Sequence, residues 1–406
     1  MKHRYFLRSL LLVVGHAASA QTSLTFSPLN ALPSGGRYGM AYCQDASAFY
    51  MAGGGSPASS FNQDVYRYEP TLDVWTPGLA VSFLASQRWA TMVPATNGSG
   101  QALLYILSGA TSTLGTPVSN MQTVLTSSGS IGPSYTNPVP AVSAAAAVWG
   151  NIIYTYGGQL ASGSYTNQLR SYNAATDTWA TLAPMPEAKV VYGGAAVNGK
   201  VYAIGGYNGV INSARVDAYD IASNTWQAVG TLPTTVSNQA VTVQGEWLWL
   251  VGDFNNQSYL AAYNTRTGQL RTFTSNLPPR RNAAAAVRNS QLYVWGGNTA
   301  SANSSTLADM WVANVGAVLA TAVAPAAPVL QAYPNPSTTG VSTLDFSSEI
   351  RTVEVLDVMG RQVMTQNVTA GTTSLQLDLQ AKPAGIYLVR AYTVQGNSAT
   401  CRLVRE

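Results

Sequence analysis

Histidine is nearly missing from this chain of 406 residues. The two present, His3 and His16, both fall within the first twenty positions. Past Ala20 no imidazole remains, which excludes a Ser-His-Asp triad and a histidine-built metal site. Cysteine is as scarce. Cys43 and Cys401 stand near opposite ends, with no Cys-x-x-Cys spacing for a metal or a dithiol; two unbridged thiols are the expectation. Charged residues make up 9% of the chain, against about a quarter in an ordinary globular protein. No phosphate-cradling Gly-rich loop with a Lys is present, and the acids nowhere follow calcium-loop spacing. No cofactor or metal is therefore expected. Nor is there any apolar run approaching the roughly 20 residues of a membrane span, so no transmembrane span is expected either.

The first twenty residues read as an export leader. Lys2, Arg4 and Arg8 give a positive start, Leu10–Val14 is a short apolar run, and Ala18-Ser19-Ala20 is a small-residue cleavage site before Gln21. This leader holds three basic residues and no acid, so a cleaved chain carries 18 Lys and Arg against 17 acids, a net charge of +1. The basic balance of the whole chain therefore does not indicate a nucleic-acid partner.

What is abundant is Gly (36), Tyr (22) and short apolar stretches. These suit short twisted strands with polar turns, and the stretches repeat. Six of them end in a glycine doublet or a degenerate form of one: Phe49–Gly54, Leu104–Gly109, Ile152–Gly158, Val201–Gly206, Trp247–Gly252 and Leu292–Gly297. The final glycines are 55, 49, 48, 46 and 45 residues apart. Within a unit, a strand leads through a turn such as Asn198-Gly199 into the strand before the doublet; Asn-Gly favours the primed hairpin turns that match strand twist. A polar loop follows, then a strand bearing a Tyr, and seven residues later a Trp: Tyr68/Trp75, Tyr172/Trp179, Tyr219/Trp226, weakened to Tyr263/Leu270.

Period, doublet, Tyr and Trp together resemble the kelch repeat over about residues 22–318. The resemblance implies an all-β fold, a six-bladed kelch-type β-propeller, with the Tyr and Trp packed between blades and the doublets permitting close strand approach. The last unit lacks its Trp, yet Phe26 precedes Pro33 by seven residues, as Trp179 precedes Pro186 and Trp226 precedes Pro233. Ser23–Pro33 is therefore expected to supply the missing outer strand and close the ring over residues 21–318.

Near residue 319 the repeat stops. Residues 319–330 are rich in Ala and Pro and read as a linker. Residues 331–406 alternate in the manner of a small antiparallel β-sandwich. Tyr333-Pro334-Asn335-Pro336, the Gly360-Arg361 turn, the strand Gly385-Ile386-Tyr387-Leu388-Val389-Arg390 and the basic final strand follow in an order that resembles the C-terminal sorting domain, type A-like, of type IX secretion cargo. That resemblance implies the type IX secretion machinery as a partner, passage through the periplasm and outer membrane, and a secreted or cell-surface product.

Binding residues are expected in the loops leading into the innermost strands: Arg37, Tyr38, Arg88, Trp89, Lys189, Tyr192, Asn238, Arg280, Arg281 and Asn282. Cations beside aromatics suit an acidic or hydroxylated ligand. The loops after the doublets add Phe61, Asn62, Tyr165, Tyr207, Asn208, Asp253, Phe254 and Asn255. The expectation is a non-catalytic module for a glycan or protein partner. Against it stands a sugar-acting enzyme such as a sialic-acid-type mutarotase or epimerase, for which Glu187, Glu246, Asp253 and Arg280 are the available acid–base and anchoring groups. The copper-radical oxidases of this repeat class depend on histidine ligands, which this sequence lacks. A third alternative is a purely structural spacer.

Overall fold

The computed structural model describes residues 22–77, 86–111, 115–301, 303–316, 318–319, 330–346, 350–369, 371–393 and 398–406. The expected leader, and the expected linker apart from 319 and 330, lie outside the described residues. The chain divides into two compact units, Met1–Leu319 and Ala320–Glu406.

The described residues of the first unit form six sheets. Blade 1 is Ala41–Gln44, Phe49–Ala52, Val65–Glu69 and Val74–Pro77; blade 2 is Arg88–Thr96, Ala102–Ala110, Asn120–Leu125 and Tyr135–Thr136. Blade 3 is Ala145–Trp149, Ile152–Tyr156, Leu169–Asn173 and Thr178–Leu182; blade 4 is Ala195–Val197, Lys200–Ile204, Arg215–Asp220 and Thr225–Thr231. Blade 5 is Ala240–Gln244, Trp247–Val251, Leu260–Asn264 and Leu270–Ser275; blade 6 has Ala284–Arg288, Gln291–Trp295 and Met310–Asn314. Within each blade neighbouring strands are antiparallel. The turns behave as their sequences demand: Asn198 and Gly199 both sit at positive φ, 49° and 73°, the primed geometry that follows strand twist.

Blades pack face to face, and one apolar cluster fills each junction. Blades 1 and 2, 2 and 3, 3 and 4, 4 and 5, and 5 and 6 each share such a cluster. A sixth joins blade 6 back to blade 1 through Trp295, Tyr293 and Met310 against Phe49, Tyr68 and Trp75. Among the described residues, therefore, every junction between blades is filled, including the one that closes the ring. The Tyr/Trp spacing has a simple cause. Residues seven apart are direct partners across the outer hairpin, Tyr68 opposite Trp75, Tyr172 opposite Trp179 and Tyr219 opposite Trp226. Each Tyr hydroxyl donates to a side chain in the turn, Asp73, Asp177 or Asn224. Each indole N–H donates outward, to a carbonyl beside or in the preceding blade: Trp75 to Asn30, Trp179 to Thr136 and Trp226 to Ala183. The pair thus locks a hairpin and joins two blades.

The N-terminal segment divides where a single outer strand is expected. Ser27–Leu29 pairs antiparallel with Met310–Val312 and supplies the fourth strand of blade 6. Thr22–Leu24 instead pairs parallel with Phe273–Ser275, a fifth strand on blade 5. The change of sheet occurs at Phe26, 2% exposed and packed among blades 5 and 6. Asn276 holds both its N–H, at 2.7 Å, and its carbonyl, at 2.9 Å. Those bonds take the backbone groups that a continuous strand would have given to its neighbour.

The second unit packs a three-stranded sheet (Leu330–Tyr333, Val341–Phe346, Ser374–Asp378) with a four-stranded one (Gln362–Asn367, Ile350–Leu356, Gly385–Thr393, Ser398–Arg405), all antiparallel. Alternate residues turn inward, and Leu344, Phe346, Val353, Val355, Leu377 and Val389 form its core. Cys43 and Cys401 are free thiols, one in each unit. Among the described residues no helix is long and apolar enough to cross a membrane.

Candidate functional site at the mouth of the propeller channel

Each innermost strand is led in by three residues with three different destinations. The first, Arg37, Gln87, Ala141, Lys189, Val236 or Arg280, is buried throughout. In five of the six its carbonyl accepts the N–H of the second doublet residue of the preceding blade: Gly297 to Arg37 at 2.7 Å, Gly54 to Gln87 at 2.8 Å, Gly109 to Ala141 at 3.3 Å, Gly158 to Lys189 and Gly206 to Val236 at 2.9 Å. This is the reason for the doublet. At Gly157, φ is +67° and a Cβ would stand 2.6 Å from the Lys189 carbonyl, so only glycine lets the blades come this close.

The second residue, Tyr38, Arg88, Val142, Val190 or Arg281, bridges to the residue just past its own doublet: Gly55, Ala110, Gln159, Tyr207 or Asn298. The third enters a ring of backbone hydrogen bonds around the channel. Gly39 donates to Asn282, Trp89 to Gly39, Ser143 to Trp89, Val191 to Ser143 and Asn282 to Asn238. Gly39, Trp89, Ser143, Asn238 and Asn282 all hold φ between 53° and 58°. That left-handed turn is costly for a tryptophan or serine and persists because the ring determines it.

Above this ring opens a bowl of about 430 Å³, lined by Tyr38, Arg88, Trp89, Val142, Ser143, Gln159, Tyr165, Val190, Tyr192, Tyr207, Asn238, Phe254, Arg281, Asn282, Asn298 and Ser301. Among the described residues its lining has two guanidinium groups, six aromatic rings and no carboxylate. The Arg88 guanidinium lies 3.9 Å from the Trp89 ring, 4.9 Å from Phe61 and 5.7 Å from Tyr38, and donates to the Tyr38 hydroxyl. Arg281 lies 4.2 Å over Phe254 and donates to Ser301 at 3.3 Å. Neither forms an ion pair with a described residue, and the buried Nε of each has no acceptor among them. Both charges are thus held by ring faces, which orient a cation without neutralising it.

The amides continue this wall as a relay: Asn238 donates to Asn282 at 2.6 Å, and Asn282 to Asn298 at 2.9 Å. Burial pushes the Tyr192 hydroxyl well above its ordinary pKa, with Tyr165 adding to it, and burial raises Tyr165 as well. Both are neutral donors at physiological pH.

Seven of the ten residues expected from sequence line this bowl: Tyr38, Arg88, Trp89, Tyr192, Asn238, Arg281 and Asn282. The other three, Arg37, Lys189 and Arg280, occupy the buried first position and do not line it. Arg37 donates to the Gly53 carbonyl and to both Asp64 oxygens. Arg280, 0% exposed, donates to the Gly296 carbonyl and to both Asp309 oxygens. Lys189 sits 3.7 Å from Asp217 and 3.4 Å from Glu187. Each closes its own blade, and none reaches the bowl.

Of the loops after the doublets, Tyr165, Tyr207 and Phe254 line the bowl, and Phe61 stands against Arg88. Asn62, Asn208 and Asp253 bond to backbone in their own turns or, for Asp253, to neighbouring backbone N–H groups. Asn255 is held in the Asp253 turn. The acid–base groups of the enzymatic alternative are likewise engaged elsewhere. Glu187 faces Lys189 and Asn208, Glu246 pairs with Arg266, Asp253 caps its turn and Arg280 is buried. Ser143, Gln159, Asn298 and Ser301 line the bowl without having been expected.

Beneath the ring the channel narrows and then widens to about 290 Å³ between Ala and Val side chains such as Ala146, Ala147, Ala195, Ala285 and Val241. Tyr42 crosses from blade 1 to blade 5, its hydroxyl accepting the Val241 N–H at 2.9 Å and donating to the Val241 carbonyl at 3.2 Å. Burial pushes its pKa up to about 12. Among the described residues, no three of His, Cys, Asp and Glu are grouped to hold a metal ion.

Comparison with known proteins agrees with this architecture. Residues 140–186 and 192–233 match the Kelch motif, and residues 331–405 match the secretion system C-terminal sorting domain. The chain is 29% identical over 174 residues to Kelch-like protein terF of Aspergillus terreus, covering 38% of each. It is 31% identical over 102 residues to Kelch-like protein 35 of Mus musculus, covering 25% of this chain and 17% of the relative. With Kelch-like protein 25 of Xenopus tropicalis the identity is 26% over 175 residues, 40% of this chain and 30% of the relative. The chain thus spans at most 38% of the length of these relatives.

Proposed function

We propose that this kelch-repeat β-propeller, which carries a type IX secretion sorting domain, is an extracellular protein-binding module whose contact site is the bowl at the channel mouth. The sorting domain is the export address, directing the chain to the cell surface or beyond, and the tail is removed or retained after passage. The supporting observation is the lining itself: two guanidinium groups held on aromatic faces, amide and phenol donors around them, and no carboxylate. Such a wall recognises a ligand by donated hydrogen bonds, cation contact and stacking. Among the described residues it presents no carboxylate and no imidazole.

A glycan is the competing occupant, since the paired Tyr165 and Tyr207 rings, 6.0 Å apart and edge to face, present aromatic faces of the kind that also suit sugars. Peptide and oligosaccharide arrays probed with the exported chain and its Tyr192→Ala variant test the reading. Peptide binding that falls with Tyr192→Ala supports it. Binding confined to oligosaccharides, or turnover of one of them, refutes it.

A further inference from the structure

The second unit carries an apolar surface that its own packing does not use. In its four-stranded sheet Tyr387, Val389 and Leu403 turn into the core, so Ile386, Leu388, Arg402 and Val404 turn to the opposite face. Such outward positions are ordinarily polar. Here Leu388 lies between Leu356 and Arg402, and Ile386 lies beside Val404. Ile386 and Leu388 are 46% and 37% exposed, and in the turn just past Leu356 the figures for Val358 and Met359 are 75% and 77%. That turn is built. The Asp357 carboxylate accepts the N–H groups of Met359 and Arg361 at 2.9 and 3.0 Å and the Arg361 guanidinium at 2.8 Å, and the Gly360 N–H donates to the Asp357 carbonyl at 2.9 Å. The tip therefore holds two adjacent aliphatics outward, with little ordering left to lose on contact.

Charge is distributed to match. The strands of the three-stranded sheet hold Asp345 and Asp378 and no cation. Those of the four-stranded sheet hold Arg351, Arg390, Arg402 and Arg405 against the single acid Glu354. Glu354 stands opposite Arg390 and accepts the Tyr392 hydroxyl at 3.2 Å. We infer that this face docks on an anionic lipid surface: Val358 and Met359 enter the boundary between headgroups and acyl chains, Ile386 and Leu388 settle against it, and Arg361 and Arg402 meet headgroup phosphates. Two observations favour lipid over a protein partner. Aliphatic and basic groups share one sheet while the other sheet is acidic, a polarity that turns the domain toward a negative surface. The most exposed aliphatics form a projecting tip, which a fluid apolar layer accommodates and which a protein could cover only with a pocket shaped to it. The inference gives the export address a contact with lipid itself and does not depend on the bowl.

The test measures cosedimentation of the full chain with vesicles of phosphatidylglycerol mixed with phosphatidylcholine, and with vesicles of phosphatidylcholine alone. The mixed vesicles are expected to bind more tightly. A double variant, Arg361→Gln with Arg402→Gln, is expected to weaken that binding about 30-fold, the worth of two guanidinium groups near an anionic surface. Arg402→Gln alone, which leaves the turn intact, is expected to weaken it about fivefold. Val358→Ser with Met359→Ser is expected to weaken it about tenfold or more. An unchanged melting temperature shows that each variant is folded. No binding of the parent, or equal binding of the parent and all three variants, overturns the inference. So does self-association of the lipid-free chain in sedimentation velocity that Val358→Ser with Met359→Ser abolishes, because the face is then an interface between copies.

Discussion

Replacing Asp309 by Ala tests whether Arg280 holds the fold. Asp309 is the carboxylate partner of Arg280, whose side chain is 0% exposed while that of Asp309 is 34% exposed. Removing one partner of a buried ion pair costs about 3–5 kcal/mol, because the remaining charge is left without compensation. Two features lower that figure here. Asp309 is partly in water, and Arg280 keeps its bonds to the Gly296 and Pro278 carbonyls. The expected loss is about 2–3 kcal/mol. For a domain of this size each kcal/mol moves the midpoint by roughly 2 °C, so the melting temperature falls by ~4–6 °C. The control is Glu246→Ala, which breaks the exposed pair with Arg266, 65% and 36% exposed, and costs under about 1 kcal/mol. Differential scanning calorimetry reads both. If Asp309→Ala melts with the control while ligand binding collapses, Arg280 belongs to the site and the assignment of the first lead-in position to the fold is wrong.

Three further outcomes follow from the same structure. Trp226→Phe keeps the ring that packs on Tyr219 but strips the Ala183 carbonyl of its indole donor, so chemical denaturation should show a loss of about 1 kcal/mol, and no loss means that water replaces the bond at no cost. Gly157→Ala sets a Cβ at positive φ and 2.6 Å from the Lys189 carbonyl, so its loss should exceed ~2 kcal/mol; a variant as stable as the parent would show that blades 3 and 4 can separate freely. Asp45 supplies a pH dependence. Burial pushes its carboxyl up, but the Ser47 and Ala48 N–H groups and the Tyr50 and Ser47 hydroxyls outweigh this and hold it below its ordinary 3.8. A depressed carboxyl stabilises the fold above its unfolded pKa and loses that contribution as pH falls through the folded one. The stability gap between the parent and Asp45→Asn should therefore be constant near neutral pH and narrow as pH falls through 3.8 and below, and a gap independent of pH would count against these bonds.

Much of the fold was legible because its signals are local. Asn198-Gly199 sets a turn, Tyr219 and Trp226 seven residues apart set a hairpin register, and a doublet marks a close approach whatever lies opposite. The path of Thr22–Leu24 was not legible. Nothing within the segment says that Asn276, some 250 positions away, takes the backbone groups of Phe26 and diverts the chain onto blade 5.

The candidate site was harder to read for a related reason. Arg280, Arg281 and Asn282 are consecutive, chemically suited to a ligand, and sent to three places: a buried clamp, the wall of the bowl and the ring that forms its floor. Composition cannot separate them, and strand alternation alone does not, because the third residue turns through a left-handed conformation. What separates them is register against the preceding blade: at five of the six junctions a doublet N–H fixes the first residue, and at the sixth the Arg280 N–H is held instead by the Gln257 carbonyl of the preceding blade's loop. Once that register is known, the rest follows without further geometry. The residue after Arg37 or Arg280 faces the bowl, as Tyr38 and Arg281 do, and so does the residue after the doublet in blades 3, 4 and 6, which is how Gln159, Tyr207 and Asn298 join the wall. A repeat protein therefore encodes its site less in which residues it carries than in their offset from the doublet. In this chain an offset of one decides whether an arginine holds a blade together or opens onto the bowl.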